Sequence, residues 1–193
     1  MAGDPIAGAA DPGTSGGRLG VPVQARGPLA VPPLERFNTA PVRAAEAALL
    51  ACCGSVRWAA RMAAHRPYPT LAALLAAADE AGYDLGGADL GEALADETAP
   101  LLPADAPPAA LMAWEAALAR YQERFGYAFL FCPDDRRPGG RLDLALAAVR
   151  TRLEHEPDEE RSVAADELRK LARARLTRLV APGDGMPGRD GHR

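Results

Sequence analysis

Stretches rich in alanine and leucine, cut at intervals by proline, glycine and hydroxyl-bearing residues, run through most of this chain. Alanine and leucine enter helices at little cost, while the residues that cut the stretches start helices or end them. Read this way, Asn38 or Thr39 caps a first helix with Pro41 in its first turn, which runs to Cys53 and ends at Gly54. Ser55 caps a second that stops before Pro67, and Thr70 a third that reaches about Ala81. A short fourth spans about Ala88 to Glu97, and the proline-broken loop 98–107 follows. The fifth, about Pro108 to Phe125, carries Leu111, Trp114, Leu118, Tyr121 and Phe125 on one stripe and breaks at Gly126. Tyr127–Cys132 is a continuous apolar run, extended or a buried turn, and the loop 133–140 follows it. The sixth helix spans about Arg141 to His155, with Leu142, Leu146, Val149 and Leu153 on one face, and the seventh about Asp158 to Val180.

Hydrophobic residues make up 48% of the 193, but aromatic ones only 5%. The core therefore has to be assembled mainly from Leu, Ala and Val, and β-branched residues are too scarce to favour a sheet. No internal repeat and no strand–helix alternation is present. The expected fold class is all-α, a single-domain bundle of about seven to nine helices. Residues 1–33 are rich in Gly, Pro and Ala without periodicity, and 182–193 are similar in kind. Both segments are read as disordered, with 34–181 as the folded domain.

A net charge of −4 opposes general nucleic-acid binding, which needs a basic surface. No apolar stretch is long enough to span a membrane, and the N-terminus lacks a secretory signal. Cys52, Cys53 and Cys132 have no metal-ligand spacing with a histidine and read as reduced thiols of a cytoplasmic protein. Cys52 and Cys53 in the string CCGS read as small buried thiols, with no histidine near them in sequence to activate either. His65 and His155 end helices, where the dipole favours them, and the acidic cluster 156–160 suits the start of the last helix.

Two charged residues fall on apolar faces. With Leu168 at zero, Leu171, Ala172, Leu176 and Leu179 lie within roughly 80° on either side, and Arg175 lies at about −20°. A guanidinium keeps its proton, so it needs an anion or carbonyls there. Arg175 is a clamp for a substrate carboxylate, half of a structural ion pair, or a side chain that snorkels past the stripe. Glu97 lies at about −20° from Leu90, on the face that Ala93 and Leu94 share. It turns into water at the helix end, faces a cavity as a carboxylate able to move a proton, or pairs with Arg175.

The order of these motifs resembles the 2-oxo-4-hydroxy-4-carboxy-5-ureidoimidazoline (OHCU) decarboxylases. Phe37-Asn38, then CCGS with Trp58 and Met62, then Arg66-Pro67-Tyr68 match that family's opening, which ends in RPF. Asp89, Glu92-Ala93 and Leu94 resemble its next helix, and Tyr121 with Arg124-Phe125-Gly126 its Y-x-x-RFG block, followed by its apolar run. Arg152-Leu153, Glu160, Glu167, Lys170 and Arg175-Leu176 match its closing pattern, so the match spans about residues 37–179. The resemblance implies a two-lobed helical bundle and a cofactor-free carboxy-lyase of purine breakdown, a homodimer, acting on a small anionic ureide and giving (S)-allantoin. It assigns Arg175 the substrate carboxylate and the backbone of Phe129, Leu130 and Phe131 to the pocket; Arg124 is read as structural. The family's acid/base histidine, in His-Pro-x-x-Gly, is Glu97 here, and its Ser-x-x-Glu-Gln element has no match in the shortened loop Thr98–Ala110. Glu97 is then the candidate to supply or steer the proton. The alternative is a helical binding or scaffold protein that kept the fold and lost the chemistry.

Overall fold

The computed structural model describes residues 31–101, 106–132 and 141–181, the side chains of Arg141 and Leu142 excepted. The expectations for residues 1–30, for the loop 133–140 and for the tail from 182 lie outside the described residues. Eight helices are present among the described residues, in the order α1 Pro33–Thr39, α2 Val42–Leu50, α3 Val56–Ala64, α4 Leu71–Tyr83, α5 Gly87–Ala95, α6 Pro108–Phe125, α7 Arg141–Arg152 and α8 Pro157–Leu179. No strand occurs among them, so the chain is all-α as expected.

The opening of the fold differs from the expected single helix ending at Cys53. Two helices stand there, because Ala40 precedes Pro41 and takes the extended conformation, φ −60° and ψ 146°. The proline ring disfavours the helical region for the residue before it. Neither Asn38 nor Thr39 caps α2. Asn38 instead reaches across 30 residues to Tyr68: its Nδ2 donates to the Tyr68 carbonyl at 2.8 Å, and its Oδ1 accepts the Tyr68 N–H at 2.9 Å. Arg66 donates to the carbonyls of Phe37 at 2.6 Å and Ala40 at 2.9 Å. The FN and RPY strings thus staple α1 to the α3–α4 connection.

Other punctuation acts as read. Ser55 Oγ accepts the Trp58 N–H at 3.2 Å, and Thr70 Oγ1 accepts the Ala73 N–H at 3.1 Å. Gly126 ends α6 at φ 81°, a left-handed conformation that costs glycine no Cβ clash.

Two separate cores form. The first gathers α1 to α5 around α8, with Leu49, Trp58, Met62, Leu74, Leu94, Leu130, Leu168 and Leu176 almost fully buried. The second lies between α6 and α7 and the segment after α6, and holds Trp114, Tyr121, Phe129 and Val149. Trp114, Tyr121 and Val149 belong to the stripes read for the fifth and sixth helices, and Leu153, Leu118, Phe125 and Leu146 of the same stripes pack with them. α8 joins the two cores: Ala164, Leu168, Ala172 and Leu176 line the first, while its first turns enter the second through Glu160.

Glu160 is fully buried, although its place in an acidic run suggests only a favourable helix start. Its carboxylate accepts from Arg152 Nε at 2.8 Å and from the Tyr121 hydroxyl, and it faces His155 Nδ1 at 2.8 Å. Arg152 also donates to the Leu130 carbonyl at 2.5 Å and lies 4.6 Å over the Phe129 ring. Burial and the bond to Glu160 push the Tyr121 phenol upward. A charge pair this deep persists only because nearly every polar atom on it is occupied.

Candidate functional site

Arg175 lies on the flank of the α8 stripe formed by Leu168, Ala172 and Leu176, turned towards the carboxyl end of α5. Glu97 sits two residues beyond that end, its N–H donating to the Leu94 carbonyl at 3.3 Å. The two side chains form a fork: Arg175 Nη1 donates to Glu97 Oε1 at 2.5 Å and Nη2 to Oε2 at 2.8 Å. The Glu97 side chain is 5% exposed and that of Arg175 29%, so the pair is largely screened from water. The bond to Glu97 raises the Arg175 guanidinium further above its usual range, against the opposing effect of burial.

A third partner comes from the start of the CCGS string. The Cys52 carbonyl accepts from Arg175 Nη1 at 3.2 Å, so the carboxyl end of α2 also meets the guanidinium. Gly54 permits this convergence. A Cβ there would stand 2.9 Å from the Asp96 Cβ and 3.4 Å from the Ala93 carbonyl oxygen, so a side chain would push the end of α5 away. Glu92 braces the same junction by accepting the Val56 N–H at 3.2 Å.

Cys52 and Cys53 are buried beside this cluster. Burial is the main cause that raises the Cys52 thiol to about 11, partly offset by Arg175, and burial raises Cys53 as well. Neither is a thiolate near neutral pH, so thiol chemistry does not belong to this site. Among the described residues no cluster of His, Cys, Asp and Glu could hold a metal ion, and no helix is long and apolar enough to cross a membrane.

The apolar run after α6 is fixed from both cores. Phe129 belongs to the second core and Leu130 to the first, while Phe131 stacks on Phe129 with ring centroids 6.2 Å apart. The Leu130 carbonyl is taken by Arg152, and the Cys132 N–H donates to Glu167 Oε2 at 2.6 Å. Glu167 in turn holds Lys170 at 2.6 Å. The structure therefore brings Glu97 and Arg175 into direct contact. Phe129, Leu130 and Phe131 are anchored through Glu167, on α8 eight residues before Arg175, or roughly 12 Å along the helix axis. Arg124 donates to the His155 carbonyl at 2.9 Å, a structural role.

Periodicity alone marked Glu97 and Arg175, and their pairing was one of three readings left open. The Cys52 carbonyl carries no sequence signal, because any residue offers one. Glu160 was legible in principle, since Glu160, Ala164, Leu168, Ala172 and Leu176 repeat every fourth position, and a carboxylate in that row must have a partner inside.

The model of a family described as OHCU decarboxylase matches residues 38–98 and 84–177. No curated protein sequence matches the chain. Among solved structures, the fold is similar to that of an (S)-allantoin synthase, with a TM-score of 0.60 and 21% identity over 76% of this chain and 54% of that one. It is also similar to an OHCU decarboxylase crystallised in the presence of (S)-allantoin, with a TM-score of 0.58 and 23% identity over 69% of this chain and 96% of that one. The chain thus spans about half the length of the allantoin synthase, and at these identities the likeness to both structures is one of fold.

Proposed function

Because this chain belongs to the OHCU decarboxylase family, we propose that it is a cofactor-free carboxy-lyase that removes CO2 from 2-oxo-4-hydroxy-4-carboxy-5-ureidoimidazoline and yields (S)-allantoin. The observation that carries this reading is the Arg175 fork, which already grips a carboxylate end-on in a largely water-excluded setting. A guanidinium there offers a substrate carboxylate two parallel charge-assisted bonds. The bond from C4 to the carboxylate breaks, and its electron pair forms a C4–C5 double bond as the C5–N π pair moves to the ring nitrogen. Glu97 delivers a proton to C5, the ureido-bearing carbon, and the C4 hydroxyl becomes the product carbonyl as its proton passes to that nitrogen.

One observation favours a second reading, a binding or scaffold protein without turnover: both arms of the Arg175 fork are filled by Glu97. The two readings separate in a coupled assay. Urate oxidase and hydroxyisourate hydrolase generate the unstable ureidoimidazoline from urate, and its absorbance decay is followed with and without this protein. Decay accelerated in proportion to protein concentration supports the lyase. A decay rate equal to the uncatalysed one abandons it in favour of the binding reading.

A further inference from the structure

The fork between Arg175 and Glu97 has a consequence for any ligand that carries a carboxylate. Both Glu97 oxygens are engaged, one on each terminal nitrogen of the guanidinium, and the Cys52 carbonyl takes a further Nη1 hydrogen. A second carboxylate cannot occupy the same two-point geometry while Glu97 holds it. We infer that Glu97 is a displaceable occupant of the Arg175 clamp, and that a carboxylate ligand exchanges with it while the protein takes up one proton. The inference rests on the proposal that Arg175 is the anion-holding group.

The surroundings of Glu97 explain the proton. Two helices point their carboxyl ends at this spot: α2, through the Cys52 carbonyl, and α5, through the Leu94 carbonyl on which the Glu97 N–H rests. A helix carboxyl end carries about half a negative charge, which disfavours a second anion beside it. The charged and titratable groups nearby are Arg175 and Arg178 from α8, Cys52 and Cys53 after α2, and Glu92 and Asp96 at α5 and its end. Asp96 packs against Gly54 on the same junction, and both thiols are neutral. Once the ligand takes Arg175, Glu97 is left largely buried, next to two negative helix ends and the ligand's own anion. Such a carboxylate is neutralised by a proton from solvent.

The exchange also balances the proposed reaction. The bound state holds the substrate carboxylate on Arg175 and a protonated Glu97. Loss of CO2 leaves an enol across C4 and C5, Glu97 passes its proton to C5 while the C4 hydroxyl proton moves to the ring nitrogen, and the regenerated Glu97 carboxylate returns to Arg175. Substrate anion and one solvent proton become CO2 and a neutral ureide, which has no carboxylate with which to compete for the fork. The pair is thus restored as product forms, and product release follows from the loss of the only group that displaced Glu97.

The test is isothermal titration calorimetry with hydantoin-5-acetate, a stable anionic hydantoin, in buffers of different ionisation enthalpy. Uptake of about one proton is expected for the unmodified protein, with a Kd that weakens about tenfold per pH unit between pH 6 and 8. Glu97→Gln should bind the same probe with no proton uptake and a Kd independent of pH. The neutral ureide (S)-allantoin should take up no proton with either protein. Binding without proton uptake would overturn the inference, because the carboxylate would then be held elsewhere with Glu97 in place. So would equal uptake in Glu97→Gln, or failure of the probe to bind either protein. The buffer series on the unmodified protein decides even if the variant does not fold. Proton uptake without turnover in the coupled assay leaves the exchange standing and removes the lyase, whereas turnover without uptake does the reverse.

Discussion

At the scale of single residues, Arg175 and Glu97 stabilise one another through their bonds and through what each would suffer alone. Arg175→Ala leaves a carboxylate that is 5% exposed without its cation, and removing one partner of a buried pair costs about 3–5 kcal/mol. Glu97→Ala strands a more exposed guanidinium and should cost less. The double variant should recover part of the loss, with a coupling of about 1–3 kcal/mol in a cycle read by urea unfolding. Additive effects would mean that the fork contributes nothing beyond packing. Cys52 gives a pH prediction of fixed sign. Its thiol is raised from 9.0 to about 11 in the fold, so the stabilising difference is fully present below pH 9 and is lost as pH rises towards 11. Unfolding free energy should decline across that window, and less so in Cys52→Ala. A decline of equal size in the variant would assign it to other groups. The charged pair was visible in sequence because helical periodicity exposes a charge on an apolar face. That the two meet was one of three readings, which the string could not choose between because nothing linear says which faces meet.

At the scale of elements, α8 decides most of the geometry. It carries Glu160 in one core, Glu167 on the apolar run and Arg175 at the fork, so a single rigid rod sets their spacing. Arg152 ties α7 to that rod and to the Leu130 carbonyl. Arg152→Met should lower stability by about 3–5 kcal/mol, since Glu160 would be left buried and charged. It should also alter Trp114 fluorescence, because Trp114 packs edge-on against Phe129 at 5.8 Å, directly under the lost guanidinium. Unchanged fluorescence in a folded variant would show that the second core does not depend on this tie. On the other side, Asn38→Ala removes both bonds to the Tyr68 backbone and should cost about 1–3 kcal/mol, measured by thermal or urea unfolding. A loss below a few tenths of that range would show that Arg66 alone holds α1. Helix starts at Ser55 and Thr70 were legible because a hydroxyl before an apolar run has one common use. The break at Ala40 was not, because a proline can begin a helix as readily as it can separate two. Only the packing of α1 on Tyr68 decides between the two.

At the scale of the whole molecule, two cores joined by one long helix account for the aromatic-poor composition. Alanine and leucine fill most of the first core, and six of the ten Phe, Trp and Tyr side chains lie in α6 and the segment that follows it. The helical class and the α6 and α7 stripes were readable from periodicity, whereas the division into two cores came only from the resemblance, because no local pattern records which helices share a core. The central claim is that this chain, with a carboxylate at position 97 in place of the family's histidine, still delivers the proton to one face of the intermediate left by decarboxylation. The most direct test follows circular dichroism as urate is converted through the coupled reactions in the presence of the protein. The expected result is a growing (S)-allantoin signal that outlasts the intermediate and is lost in Arg175→Ala. Racemic allantoin, formed at the rate seen without the protein, would contradict the claim.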